Sequence, residues 1–245
     1  MDLKKKISAF ASFTLFFVIF ALFLCQCKKN NSPPISEHTY SINSNTVFLQ
    51  IVSPNLSNRT EKKVAIVVFA EEGEDIEKIK SVLADFISSE YKLVFLLADW
   101  ISIFNKYKDS SATNNNVNSI CNLLNNTLSQ DKKFILLKGK LGCFSLCKEI
   151  QSDCIEGLIL LSPYCDLNSS DIINSNVLNI PTFISVGEND KNAYNFSLQL
   201  YQKNRSFCEM RTYPTDDTSF VLLESFAHAK EQIKLWIETI MTRNN

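Results

Sequence analysis

Residues 134–150 read FILLKGKLGCFSLCKEI, and this stretch decides the expected fold. Its first four residues are apolar, and the apolar run stops just before Gly139. Gly142 follows three residues later. The chain has only five glycines among 245 residues, so each is expected where the backbone needs a conformation that other residues avoid. The stretch therefore predicts a buried strand, a tight turn and a helix in close succession.

Short apolar runs and helical patterns alternate on both sides of this stretch. Further strands are predicted at 46–52, 64–69, 91–98, 157–162, 182–186 and 208–213, with helices at 76–86, 117–128, 194–201 and 220–241. Continuous apolar runs too short for a helix indicate strands that are covered on both faces. The alternation predicts an α/β fold, a three-layer sandwich with a mostly parallel sheet, in which sites lie at the carboxyl ends of strands.

The first residues carry the features of a targeting segment. Three consecutive lysines, Lys4 to Lys6, precede residues 7–24, which contain no charged side chain. This pattern predicts a signal peptide or a membrane anchor over residues 1–24. Residues 25–45 are mostly polar and include two adjacent prolines, which predicts a tether. A single folded domain is then expected over residues 46–245.

Cys25 directly follows the uncharged segment and resembles the lipidated cysteine of a bacterial lipoprotein signal. The preceding Leu24 departs from that pattern, in which the residue is normally small, and Cys27 is a second candidate for lipidation. An uncleaved anchor is the alternative. Both readings place the domain outside the cytoplasm, tethered to a membrane of the bacterial cell envelope.

The composition excludes several classes of partner and cofactor. Lysine and arginine number 25 against 26 acidic residues, so no nucleic-acid partner is expected. The only histidines, His38 and His228, lie far apart in the sequence, and the cysteines do not follow a metal-binding spacing. Neither a metal site nor a cofactor is predicted. An exported location permits disulfides, but their pairing cannot be predicted from spacing.

The order of the pieces resembles the α/β-hydrolase superfamily from residue 46 to the C-terminus. The resemblance is carried by FLQIVSP and VAIVVFAEEG, by SVLADFISSEYKLVFLLAD, by the helix and strand in VNSICNLLNNTLSQDKKFILLKGKLGC, and by IEGLILLSPY and IPTFISVGENDK. Residues 163–181 leave too little chain for a cap domain, so the resemblance implies an uncapped fold.

The resemblance implies a catalytic triad that is largely missing. In that superfamily the nucleophile lies at the centre of a G-x-S-x-G turn, and the matching frame places Leu141 there. The triad acid corresponds to Asp190, and the histidine position falls near Thr218. A His-Gly pair that often helps to form the oxyanion hole is replaced by Phe69 and Ala70. An acid without a base or nucleophile implies an inactive domain.

One alternative is an active enzyme in which Cys143 is the nucleophile and His228 is the base. Dienelactone hydrolases, which resemble this superfamily, use a cysteine nucleophile, and Cys143 lies two residues beyond Leu141. A cysteine still needs a base to form its thiolate. The competing interpretations are simpler: Cys143 packs in a close helix contact, His228 lies on a helix surface, and Asp190 caps the following helix.

Two functions follow from the sequence. The first is a membrane-tethered, catalytically inactive α/β-hydrolase-like protein that acts as a binding or structural module of the cell envelope. The alternative is an active carboxylic ester or thioester hydrolase with a non-standard nucleophile such as Cys143. The small-molecule or protein partner of the first function is not indicated by any residue pattern.

Overall fold

A computed structural model describes residues 33–42, 45–54, 63–100, 103, 110–146, 155–165 and 178–243, with backbone only for 42, 45, 110–118, 144 and 146. The predictions for residues 1–24, Cys25 and Cys27 lie outside these ranges. From Pro34 onward the described residues belong to one compact unit. No helix within the described ranges has both the length and the hydropathy of a membrane span.

Eight strands of the described residues form a single sheet, in which six neighbouring strands, including one edge strand, run parallel. The strands are β1 (Ile35–Ile42), β2 (Asn45–Val52), β3 (Val64–Glu71), β4 (Lys92–Ala98), β5 (Lys132–Lys138), β6 (Gly157–Leu161), β7 (Thr182–Gly187) and β8 (Cys208–Tyr213). Their order across the sheet is β1-β2-β4-β3-β5-β6-β7-β8. The pairs β1–β2 and β2–β4 are antiparallel, and the remaining pairs are parallel.

Helices cover both faces of this sheet. They are α1 (Ile76–Val82), α2 (Ala84–Ser88), α3 (Ser110–Thr127), a 3-10 helix (Gly139–Leu146), α4 (Lys191–Lys203), α5 (Ser219–Ser225) and α6 (Ala227–Arg243). One apolar cluster joins one face of the sheet to α3, the 3-10 helix and α4. A second cluster joins the other face to α1, α2, α5 and α6. The predicted three-layer sandwich is therefore confirmed.

The parallel core explains the continuous apolar runs in the sequence. Every residue of β6 is buried, and β3 is buried from Val64 to Ala70. Neighbouring residues of β3 point to opposite faces, so Val67 joins one apolar cluster and Ile66 joins the other. A strand with cores on both sides needs an apolar residue at every position.

Several element boundaries differ from the sequence prediction. The helix predicted at 117–128 begins seven residues earlier, at Ser110. Residues 35–42, placed in the tether, instead form the edge strand β1, which pairs along its whole length with β2. Its sequence ISEHTYSI is largely exposed, so its composition resembles that of a linker. The helix predicted at 76–86 is interrupted at Leu83, and the helix predicted at 220–241 is interrupted at Phe226.

The connection between β6 and β7 is short. It runs from Ser162 to Pro181, and its described parts, 162–165 and 178–181, lie beside the sheet strands they join. A connection of this length cannot hold a cap domain, so the carboxyl ends of the central strands are not covered by an inserted domain there.

Candidate functional site

The turn after β5 has a left-handed residue at Gly139. This residue has a φ of +51° and begins the 3-10 helix. Leu141, where the sequence frame placed the nucleophile, lies inside that helix, is 2% exposed and packs in the cluster on the α3 face. In a nucleophile elbow the reactive residue occupies the strained strand-to-helix turn. In this turn the positive φ belongs to Gly139, two residues before Leu141, and Gly139 carries no side chain.

Gly142 allows the helix after the turn to lie directly against the end of β6. A Cβ atom on Gly142 would be 2.3 Å from Cβ of Pro163, a distance that real side chains do not tolerate. The buried Ser145 hydroxyl donates a hydrogen bond to the carbonyl oxygen of Gly142 at 2.7 Å. The short residues of this helix thus serve close packing, as the simpler interpretation of the sequence expected.

Residues from the segment after β6 and from the start of α5 surround the space beside Gly139. A Cβ atom on Gly139 would lie 3.4 Å from the ring of Tyr164 and 3.7 Å from Oγ of Ser219. The backbone N–H of Tyr164 donates to the Gly139 carbonyl at 3.0 Å, and that of Ser219 donates to Ser162 Oγ at 3.0 Å. Ser162 and Ser219 have φ values of +44° and +53°. Three left-handed residues therefore meet here, and the two serines carry backbone strain of the kind that concentrates at functional sites.

The loop predicted to carry the triad histidine does reach this turn. Thr218 is the residue that precedes α5, and its side chain makes no capping hydrogen bond. The residue that faces Gly139 is its neighbour, Ser219. The side chain that this segment brings to Gly139 is thus a hydroxyl, which is a poor base for accepting a proton.

Asp190 caps a helix. It follows β7, and its Oδ1 accepts a hydrogen bond from the backbone N–H of Ala193 at 3.2 Å at the start of α4. The β8 loop passes close by, because a Cβ atom on Gly187 would lie 2.4 Å from the carbonyl oxygen of Thr215. The carboxylate that corresponds to a triad acid therefore has a structural role in the described residues.

Cys143 and His228 belong to helices on opposite faces of the sheet. The Cys143 thiol donates a hydrogen bond to the carbonyl oxygen of Tyr164, with the sulfur 3.1 Å from that oxygen. His228 is exposed at the start of α6, with ring centroids 5.3 Å from Tyr213 and 5.8 Å from Phe226. The helix of Cys143 packs in the α3 cluster, whereas α6 packs in the other.

Charged side chains lie at the ends of β3 and β5, beside the turn at Gly139. Lys138 precedes Gly139 and forms an ion pair with Glu74, whose other oxygen accepts from the backbone N–H of Glu71 at 3.0 Å. Burial raises the pKa of Glu71, and the carboxylates of Asp99 and Glu74 raise it further. Negative charge at this edge opposes a developing oxyanion. The sequence predicts that each of these residues lies near a strand end. It does not predict the Lys138–Glu74 ion pair, because that contact depends on β3 and β5 being neighbours in the sheet.

No group of three or more histidine, cysteine or acidic residues in the described ranges could hold a metal ion. The site is consequently built from a glycine turn, serine hydroxyls, one aromatic ring and an ion pair. The described residues of this site provide hydrogen bonding and charge, without a nucleophile and base in contact.

Solved structures of α/β hydrolases share this fold. Est1E from Butyrivibrio proteoclasticus matches with a TM-score of 0.62 at 13% identity, covering 84% of this chain and 99% of that chain. A dienelactone hydrolase from Anabaena variabilis gives 0.58 at 14%, with coverages of 85% and 98%. A lidless α/β serine hydrolase from Xanthomonas campestris gives 0.60 at 10%, with coverages of 84% and 94%. No protein-family model and no curated protein matches the chain. The similarity shows an α/β-hydrolase-like fold.

Proposed function

We propose that this α/β-hydrolase-like domain is catalytically inactive and serves as a membrane-tethered binding or structural module of a bacterial cell envelope. The observation that carries the proposal is Gly139. It occupies the strained turn after β5, where an active enzyme holds its nucleophile, and it has no atom that can attack a substrate.

The surroundings of the turn support the same conclusion. Ser219 occupies the place of a general base, and Glu71 and Glu74 lie where donors to an oxyanion would be needed. Asp190 is engaged as a helix cap. Because nucleophile, base and oxyanion donors act together in acyl transfer, losing all three removes the basis for rapid turnover.

Hydrolysis of p-nitrophenyl acetate and p-nitrophenyl butyrate by the full chain in mild detergent tests the proposal. We expect no turnover above the detergent blank and no labelling by a fluorophosphonate probe. Turnover that persists through purification and is lost in Cys143→Ser or His228→Ala would overturn the proposal, whereas Cys121→Ser is a matched control on α3.

The alternative function, an ester or thioester hydrolase, rests on the position of Cys143. Its thiol bonds to the carbonyl oxygen of Tyr164, the residue whose ring lies beside Gly139, so the sulfur is near the turn. An active thiolate there would be alkylated by iodoacetamide faster than an ordinary thiol at pH 7. Slow alkylation together with absent thioesterase turnover would exclude this function.

The membrane tether is the part of the proposal that depends on the N-terminal sequence. If Cys25 is lipidated, cells fed a labelled fatty acid should label the wild-type chain and the Cys27→Ser variant, but not Cys25→Ser. Equal labelling of both variants, or none in the wild type, would contradict lipidation at Cys25.

A further inference from the structure

An open groove of about 510 Å³ lies between the edge strand β1 and the helix α3. His38 and Tyr40 line it from the strand, and Asn122, Leu123 and Asn126 line it from the helix, together with smaller hydroxyl side chains. Its volume falls within the range of roughly 300 to 1,000 Å³ that is typical of small-molecule sites.

The strand register explains why these side chains meet. His38 lies opposite Leu49, and Tyr40 lies opposite Val47, two buried residues of β2 that belong to the cluster on the α3 face. The period of two along β1 therefore directs His38 and Tyr40 to that face. The helix α3 covers this face through residues such as Ile120 and Leu124, which leaves the groove at the sheet edge.

The groove is separate from the turn at Gly139. In the order β1-β2-β4-β3-β5, four strand spacings separate β1 from β5. At about 4.8 Å for each spacing, the two features are roughly 19 Å apart across the sheet. An activity or its absence at the turn therefore has no direct bearing on what the groove binds.

The lining side chains indicate the chemistry of a ligand. Among the described residues of the groove there is no aspartate, glutamate, lysine or arginine, so an ionic ligand would meet no opposite charge. The amides of Asn122 and Asn126 each provide both donors and an acceptor, and the serine and threonine hydroxyls also do both. A ligand hydroxyl likewise donates and accepts, and therefore matches this lining.

The two aromatic rings that line the groove, those of His38 and Tyr40, also suit a ligand that carries hydroxyl groups. The ring centroids of His38 and Tyr40 are 6.2 Å apart at 45°, which presents an aromatic surface at one wall of the groove. Aromatic rings carry an apolar body that can cover the C–H face of a sugar ring. We propose that the groove binds a neutral, hydroxyl-rich small molecule, namely a mono- or disaccharide.

Isothermal titration of the full chain in detergent tests this site with glucose, maltose and N,N′-diacetylchitobiose as probes. We expect saturable binding of at least one of them at millimolar concentration. Asn122→Ala and Asn126→Ala should each weaken it about tenfold, because each removes an amide that bonds the ligand. Asn125→Ala is the matched control, since Asn125 is exposed on the same helix but does not line the groove.

Three results would overturn the proposal. The first is the absence of binding for all three sugars. The second is equal binding by the Asn122, Asn126 and Asn125 variants when their thermal unfolding matches the wild type. The third is tighter binding of glucose 6-phosphate than of glucose, which would show a charged ligand. None of these results depends on ester hydrolysis, so the inactivity of the turn is tested separately.

Discussion

At the scale of single residues, Gly142 offers a test of how closely the turn packs on β6. In Gly142→Ala the new Cβ would lie 2.3 Å from Pro163 Cβ and 2.8 Å from its Cα, both part of a rigid ring or backbone. We expect the free energy of unfolding to fall by about 3 kcal/mol, a value typical of overpacking. Urea unfolding followed by circular dichroism measures it.

Gly73→Ala is the control for the Gly142 variant. Gly73 has a φ of +90°, but no atom lies within 4 Å of a Cβ built there. Only backbone strain is expected, at about 1 kcal/mol. Equal losses in the two variants would show that Pro163 moves away easily and that the contact with Gly142 is not tight.

The sequence located the turn but not the residue at its centre. Gly139 and Gly142 are three residues apart, and the frame that treats Gly139 as the first glycine of the motif places Leu141 at the nucleophile. The structure instead shows the left-handed φ at Gly139 and a buried side chain at Leu141. The spacing of two glycines does not determine which residue of the turn has a positive φ, so the position could be found only from the structure.

At the scale of elements, Asp190 and Asp75 can be compared as helix caps. Asp190 accepts from Ala193 N at 3.2 Å, and Asp75 accepts from Lys78 N at 3.1 Å. We expect Asp190→Ala and Asp75→Ala to lower the unfolding free energy by about 1 kcal/mol each, and Asp190→Asn to lower it less, because asparagine is also a good cap. Thermal unfolding compares the three variants.

A catalytic role for Asp190 would give a different result. Asparagine keeps the cap but cannot stabilise an imidazolium, so a working triad acid would lose turnover in Asp190→Asn while stability changed little. We expect neither the wild type nor the variant to hydrolyse p-nitrophenyl esters above the detergent blank. A selective loss of turnover would contradict the assignment of Asp190 as a structural cap.

Most elements were predictable because their hydrophobic patterns are local. Seven of the eight strands overlap strands predicted from the sequence, and six of these seven are apolar or β-branched runs; β8, CEMRTY, is not. The strand that was not predicted, β1, has polar residues on both faces at a sheet edge, and its only strand partner in the described sheet is β2. Its pairing depends on that partner and on the α3 side of the sheet, so composition alone favoured a tether. The groove at β1 was missed for the same reason.

At the scale of the whole molecule, the alternation of strands and helices indicated the layers but not the strand order. The crossing that places β3 between β4 and β5 brings Glu74 to Lys138, a contact between residues 64 positions apart. The charge arrangement at the turn is therefore a product of topology. Because this arrangement contributes to raising the pKa of Glu71, we expect the stability of the fold to depend on pH.

The raised pKa of Glu71 determines the sign of this pH dependence. Burial and the nearby carboxylates of Asp99 and Glu74 disfavour its charged form, so the folded state holds the proton more tightly than the unfolded state. Stability contributed by this group is fully present below its ordinary pKa of about 4.5 and is lost as pH rises through the raised value.

Glu71→Gln removes the charge, so we expect it to be more stable than the wild type at pH 7 and nearly equal at pH 4. Urea unfolding across this range measures the difference, with Glu72→Gln as the exposed control from the same loop. A Glu71→Gln curve parallel to the wild type, or a gain confined to low pH, would contradict a raised pKa of Glu71 in the folded state.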